Sequence, residues 1–109
     1  MITKKIKTAL DEVGIPCYFI TRGNNPAPCV VYNYNEKPKF FADNEEKAIQ
    51  YTVLLNLYCN NNIENTKKLV LEVMQKYGFI KTAVQSTILD GSGFFNTPIQ
   101  LKICLRSWF

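Results

Sequence analysis

Three stretches of this chain alternate apolar and polar residues with the period of a β-strand, and that pattern constrains the fold more than any other feature. In "AIQYTVLLNLYC", residues 48–59, Ile49, Tyr51, Val53, Leu55 and Leu57 share one face, while Gln50, Thr52, Leu54, Asn56 and Tyr58 share the other. In "CVVYNYNEK", residues 29–37, Val30, Tyr32 and Tyr34 point one way and Cys29, Val31, Asn33 and Asn35 the other. In the run ending the chain, Ile99, Leu101, Ile103 and Leu105 line one face and Gln100, Lys102, Cys104 and Arg106 its reverse. Strands with one apolar face suit an antiparallel sheet covered on one side only.

Two segments switch to helical spacing. Ile2, Ile6, Ala9, Leu10 and Val13 recur on one helix face, and Gly14 followed by Ile15-Pro16 ends it, which predicts a helix over about residues 2–13. After "NNN", residues 60–62, Thr66, Leu69, Val70, Val73, Met74 and Tyr77 form a second stripe that Gly78 closes. Asn61 with Glu64 resembles a capping box. "CYFI", 17–20, is a short strand, "TRGNNPAP", 21–28, a loop, and "PKFFADNEE", 38–46, a turn-rich connector. Residues 79–90 and 94–107 flank "GSG" as a hairpin, and Pro98 makes its last strand an edge or a bulged strand. The expected order is α-β-β-β-α-β-β: one α+β domain over residues 1–109, with two helices on one face of a mostly antiparallel sheet of four to five strands.

The chemistry in the sequence is sparse. There is no histidine, so the commonest general base is missing. Cys17, Cys29, Cys59 and Cys104 lie far apart with no CxxC pair, and each sits in an apolar run, as a reduced structural thiol of an intracellular protein does. A zinc site would need all four to converge from separate elements. Asp11-Glu12, Asp43-Glu45-Glu46 and Asp90 read as solvated carboxylates. Ser92 between glycines lacks the strand–turn–helix setting of a nucleophile elbow, and "DGSG" precedes no helix that a phosphate loop requires. "KYGFIKT", 76–82, partly matches an RNA-recognition signature, but Lys76 and Thr82 stand where that signature needs Gly and an aromatic. The net charge of +4 is mild, and the lysines are scattered in small clusters at Lys4-Lys5-Lys7, Lys37/Lys39 and Lys67-Lys68. No apolar run approaches the ~20 residues of a membrane helix, and "MITKKIKTAL" lacks the apolar core of a secretory signal.

What remains for function is aromatic. Phe40-Phe41 and Phe94-Phe95 are adjacent pairs, and neighbours in a strand face opposite ways, so a one-sided core buries one of each. The other meets solvent, a partner or a loop folded back over it. Trp108 and Phe109 add two more aromatics. A rival reading takes Tyr32, Tyr34 and nearby lysines as a base-stacking surface of a small nucleic-acid-binding module, which holds only if the tyrosines lie outside a covered sheet face.

The succession of a short first helix, "PAPCVVYNYNE", the alternating "AIQYTVLLNLYC", the helix "NIENTKKLVLEVMQKYGF" and the closing "NTPIQLKICLRSWF" resembles the tail terminator and tail-completion proteins of long-tailed bacteriophages and prophages. The likeness covers nearly the whole chain in architecture and loose pattern, with a connector shorter than in many members. It implies a structural protein, not an enzyme, without cofactor or metal. It implies copies assembled in the host cytoplasm as a ring, typically a hexamer, on the end of the virion tail tube. Its partners would be itself, the tail tube protein, the head connector protein and, non-specifically, the DNA passing through. A closing ring needs two different complementary patches per subunit. The connector, with Lys37, Lys39, Phe40, Phe41, Asp43, Glu45 and Glu46, and the strand near Pro98, with Phe94, Phe95 and Trp108 as further exposed aromatics, are the expected candidates.

Overall fold

The structure is a computed structural model that describes residues 2–40, 47–91 and 93–107. The elements are α1 (Ile2–Glu12), β1 (Cys17–Phe19), β2 (Cys29–Phe40), β3 (Lys47–Cys59), α2 (Ile63–Lys76), β4 (Ile80–Val84), β5 (Ile88–Leu89) and β6 (Phe95–Ser107). The class is α+β. The sheet has six strands in the order β1-β2-β3-β6-β4, with β5 also on β6. β1 runs parallel to β2, and every other pairing is antiparallel.

β3 is the middle of this sheet. It pairs without a break with β2, from Cys29↔Tyr58 to Phe40↔Lys47, and with β6, from Cys59↔Phe95 to Lys47↔Ser107. Its alternate residues Tyr51, Val53, Leu55, Leu57 and Cys59 enter one core with Val30, Tyr32, Ile99, Leu101 and Ile103 of the flanking strands. The same core takes Ile2, Ile6, Ala9 and Leu10 of α1 and Val70, Val73 and Met74 of α2, so both helices cover one face.

Several expectations are corrected. The extra strand arises because the first arm of the last hairpin is two strands. β4 reaches Val84↔Ile99, residues 85–87 leave the ladder, and β5 resumes at Ile88↔Asn96. The gap lies opposite Pro98, which has no N–H to donate, while its carbonyl still accepts from the Gln85 N–H at 2.9 Å. β6 is therefore not an edge strand; it is interior, with its partner interrupted at the proline. Residues 38–40 are not connector, since β2 continues through Pro38, Lys39 and Phe40. Pro38 is tolerated because its nitrogen faces away from β3, on the side where Val30 and Tyr32 bond to the segment around β1. The rest of the expected connector, Phe41 to Glu46, lies outside the described residues. On α2, Leu69 is 48% exposed and Leu71 packs against the core instead, because the buried face is centred on Val70, Val73 and Met74.

The expected capping box is absent too. The N-cap is Asn62, in the left-handed region at φ 50°, with no side-chain cap. Asn tolerates that region better than most residues. Its carbonyl accepts from both the N–H and the Oγ1 of Thr66, each at 3.0 Å.

The glycine stops work as the sequence suggests. After α1, Gly14 N–H donates to Asp11 O and Ile15 N–H to Leu10 O; after α2, Gly78 N–H donates to Gln75 O and Phe79 N–H to Met74 O. Both are Schellman motifs, and in both the residue after the glycine, Ile15 or Phe79, is buried. Phe79, the central aromatic of the apparent RNA-recognition match, is 2% exposed and so belongs to the core. The C-terminal ends of the two helices are tied by Glu12, whose carboxylate accepts from Lys76 Nζ at 2.9 Å and Tyr77 OH at 3.0 Å. Those bonds hold the Glu12 carboxyl below its ordinary value and raise Lys76 above its own.

Two predictions follow from this architecture. Gly78 has φ +96°, and a Cβ there would meet Ile103 Cδ1 at an ordinary 3.6 Å, so Gly78→Ala costs backbone strain alone, about 1–2 kcal/mol. Gly91→Ala, with open space and no such φ, should stay within about 0.5 kcal/mol in denaturant titrations. The lowered Glu12 value means that its contribution is present above the unfolded carboxyl pKa and lost as pH falls through the folded one. The melting-temperature gap between wild type and Glu12→Gln should thus hold from neutral pH to about pH 5 and close in stronger acid.

Candidate functional site

The sheet face opposite the helices is where unassigned chemistry collects. Cross-strand pairing sets Asn33, Leu54 and Gln100 in one row, Asn35, Thr52 and Lys102 in the next, and Lys37, Gln50 and Cys104 in a third. These rows hold amides, a hydroxyl and two exposed lysines, and no carboxylate. Three exposed aliphatics on this face, Leu54 at 44%, Ile80 at 57% and Ile88 at 56%, give it apolar patches. The alternation of β3 already placed Leu54 here. Nothing local marked Ile80 and Ile88, because their strands are short and interrupted.

The expected site residues that the structure describes fall at two ends of the sheet. Lys37 is exposed on β2, and Lys39 and Phe40 pair with Ala48 and Lys47 toward the end of that strand. Phe94 and Phe95 are both half-buried at the other end, where Phe95 pairs with Cys59. Lys37 pairs with Gln50, nine residues along β3 from Cys59, which is about 30 Å. Phe41, Asp43, Glu45, Glu46 and Trp108 lie outside the described residues.

The Phe94 end has an organiser the sequence did not reveal. The loop between β1 and β2 carries Arg22 over the sheet, with its guanidinium carbon 4.8 Å from the Phe94 ring centroid and 5.4 Å from that of Tyr58. Arg22 Nη1 donates to Asn25 O, and Asn25 Nδ2 returns a bond to Arg22 O. Phe94 is thus occupied by the protein's own cation.

The tyrosines are accounted for as well. Tyr32 is 4% exposed within the core, and Tyr34 is half-buried on the same face, its ring 5.7 Å from Tyr51 and 5.9 Å from Phe19. Burial, with the Glu36 carboxylate nearby, pushes the Tyr51 phenol up. The base-stacking reading therefore loses the residues it needed.

All four cysteines are free thiols. Burial raises Cys17, Cys29 and Cys59, the condition of inert thiols. Cys104 departs from the expected structural role, because its side of β6 is the open face, and it is exposed. Among the described residues no three His, Cys, Asp or Glu side chains converge as a metal site, and no helix is long and apolar enough to cross a membrane. The hollow at Pro98, about 130 Å³, is lined by Leu54, Asn56, Gln85 and Gln100 among others and brings no titratable group together.

No family model matches the chain, and no curated protein matches it.

Arg22→Ala should lower stability by about 1 kcal/mol through the loss of both ring contacts, measured by urea unfolding. Arg22→Lys should recover part of that loss. An unchanged midpoint in Arg22→Ala would show that the stacked guanidinium holds nothing.

Proposed function

We propose that this chain is a structural subunit of a long-tailed phage or prophage tail, a tail terminator whose copies form a ring on the end of the tail tube, stop its polymerisation and present a surface to the head connector. The observation that carries this reading is the mismatch in length between the sheet and its helices. Thirteen-residue strands such as β3 and β6 extend about 43 Å, whereas α1 and α2, with 11 and 14 residues, span about 16 and 21 Å. The molecule measures 52 × 23 × 23 Å.

Burial fades accordingly. Along β2 it falls from Val30 and Tyr32 in the core, through half-buried Tyr34, to exposed Glu36, Lys37 and Pro38. Among the described side chains of the β2, β3 and β6 arm, those beyond half-buried Ile49 and Leu105 take no part in that core, and a strand arm gains independent stability by packing on something. Other copies of the chain are the cover that fits a ring. The lysines of the open face, Lys37 and Lys102, suit a secondary, sequence-blind contact with DNA moving through the lumen.

Another head–tail connector or minor tail subunit is the alternative with the same geometry, and tube termination separates the two. Raising the concentration should move the mass from 12.5 kDa to a defined multiple by light scattering, with closed rings in electron micrographs. Adding the protein to polymerising tail tube protein should arrest tube growth. Rings without arrest favour the connector alternative. A chain that stays monomeric both alone and on tube ends, and that binds DNA tightly at moderate salt, overturns the reading.

A further inference from the structure

The arm has two backbone edges, and they differ in what they offer. β1 covers β2 only at residues 30–32, where the Val30 N–H donates to Pro16 O and the Ile20 N–H to Tyr32 O. The N–H and C=O of one strand residue point to the same side, and the side alternates along the strand. Even-numbered residues of β2 therefore aim their backbone away from β3, and the unbroken register carries that alternation to Phe40. Beyond β1, Tyr34, Glu36 and Pro38 face outward. The Tyr34 N–H is taken by Asn33 Oδ1 at 2.8 Å, and Pro38 has none. Over these three residues the edge presents three carbonyls and one available amide, that of Glu36.

The other edge is complementary. The Pro98 carbonyl faces Gln85, so the even-numbered residues of β6 aim away from β3. β4 pairs no further than Lys102, which leaves Cys104 and Arg106 with outward N–H and C=O groups.

We infer that in the ring the β2 edge of one copy pairs with the β6 edge of the next, extending the sheet from subunit to subunit. This rests on the ring reading above and specifies its contact. Face parity fixes how the edges join. The outward residues of β2 carry side chains on the helix-covered face, with Tyr32 and Tyr34, whereas those of β6 carry theirs on the open face, with Lys102 and Cys104. If the helices of both copies stay on one side, such edges join only in parallel, where each outward residue bonds to two residues flanking its neighbour. β2 and β6 are both antiparallel to β3 and hence parallel to each other, so rotation about a ring axis brings them together in that sense.

Placing Glu36 level with Leu105 of the next copy gives three bonds. Glu36 N–H donates to the neighbouring Cys104 carbonyl, the Arg106 N–H donates to Glu36 O, and the Cys104 N–H donates to Tyr34 O. The donors missing at Tyr34 and Pro38 fall at the two ends of this contact. Two β2 edges meeting antiparallel about Glu36 would bond only at Glu36, leave the carbonyls of Tyr34 and Pro38 without donors, and place two carboxylates opposite each other. Below the contact the strands must part, since β1 and the next copy's β4 lie between them. Arms converging on a ring axis part in this way.

The test uses prolines at outward positions, which spare the ladders to β3. Glu36→Pro and Cys104→Pro should each abolish rings while keeping a wild-type circular dichroism spectrum. Mixed, the two variants should form a head-to-tail dimer and nothing larger, because each supplies the edge the other lacks. A Glu36→Cys/Leu105→Cys variant in a Cys104→Ser background should give a covalent ladder up to ring size on oxidation, since the facing Cα atoms lie within disulfide reach. Rings that persist in both proline variants, or self-association lost in Glu36→Pro but kept in Cys104→Pro, overturn the edge pairing and leave the ring reading standing. A wild-type chain that forms no ring, alone or on tail tubes, overturns both.

Discussion

Everything in this fold is referred to the register of β3. Because side chains alternate, the pairings Val30↔Leu57 and Leu57↔Thr97 decide at once which residues of three strands enter the core. A slip of one residue between β2 and β3 would bring Asn33 and Asn35 beneath the helices and expel Val30 and Tyr32. Burying those amides without partners would cost about 1–3 kcal/mol each, on top of the apolar burial lost. The helices then settle on the face that carries Val30, Tyr32, Val53, Leu55, Leu57, Ile99 and Leu101. Their own ends are fixed locally, by Schellman turns at Gly14 and Gly78 and by the Glu12–Lys76–Tyr77 link.

This explains which parts of the molecule were legible in the sequence. Period-two alternation in β2, β3 and β6 has one physical source, a sheet with one dry face, and it identified both faces of all three strands. Glycine at positive φ is equally local, so both helix ends could be read. What failed was non-local. Pro98 identified a defect, but whether the proline marks an edge or a gap in a neighbouring strand depends on what β4 and β5 do on the far side. Phe40 looked like connector because "KPKFF" carries turn-forming and basic residues, yet continued pairing with β3 kept it in the strand. Asn61 and Glu64 matched a capping box, and the tertiary path selected a left-handed Asn62 instead.

The candidate site was less legible than the fold, for a related reason. Sequence points to aromatic pairs as exposed, but exposure is decided by residues far away. Arg22 reaches Phe94 and Tyr58 from a loop more than thirty positions before either, so no local pattern around "GSGFF" could announce it. The features that do single out a contact are backbone directions along β2 and β6, and those can be assigned only once the pairing partners are known.

The two strand prolines bring these threads together. Pro38 and Pro98 both occupy even positions, and in both strands the even positions aim their backbone away from β3. Neither proline removes a bond from the central ladders, which is why β3 pairs without interruption on both sides, over twelve residues with β2 and thirteen with β6. Each instead alters an outer edge: Pro98 stops β4 from continuing into β5, and Pro38 strips a donor from the exposed margin of β2. The same placement protects and specifies. An edge short of donors is a poor template for another copy of itself, a common defence against uncontrolled strand addition. It still accepts a partner whose donors fall where its carbonyls remain, and on this chain Cys104 and Arg106 supply them. A β-sheet subunit with one donor-poor and one donor-bearing margin is thereby biased toward head-to-tail addition, and a ring is the closed form of such addition.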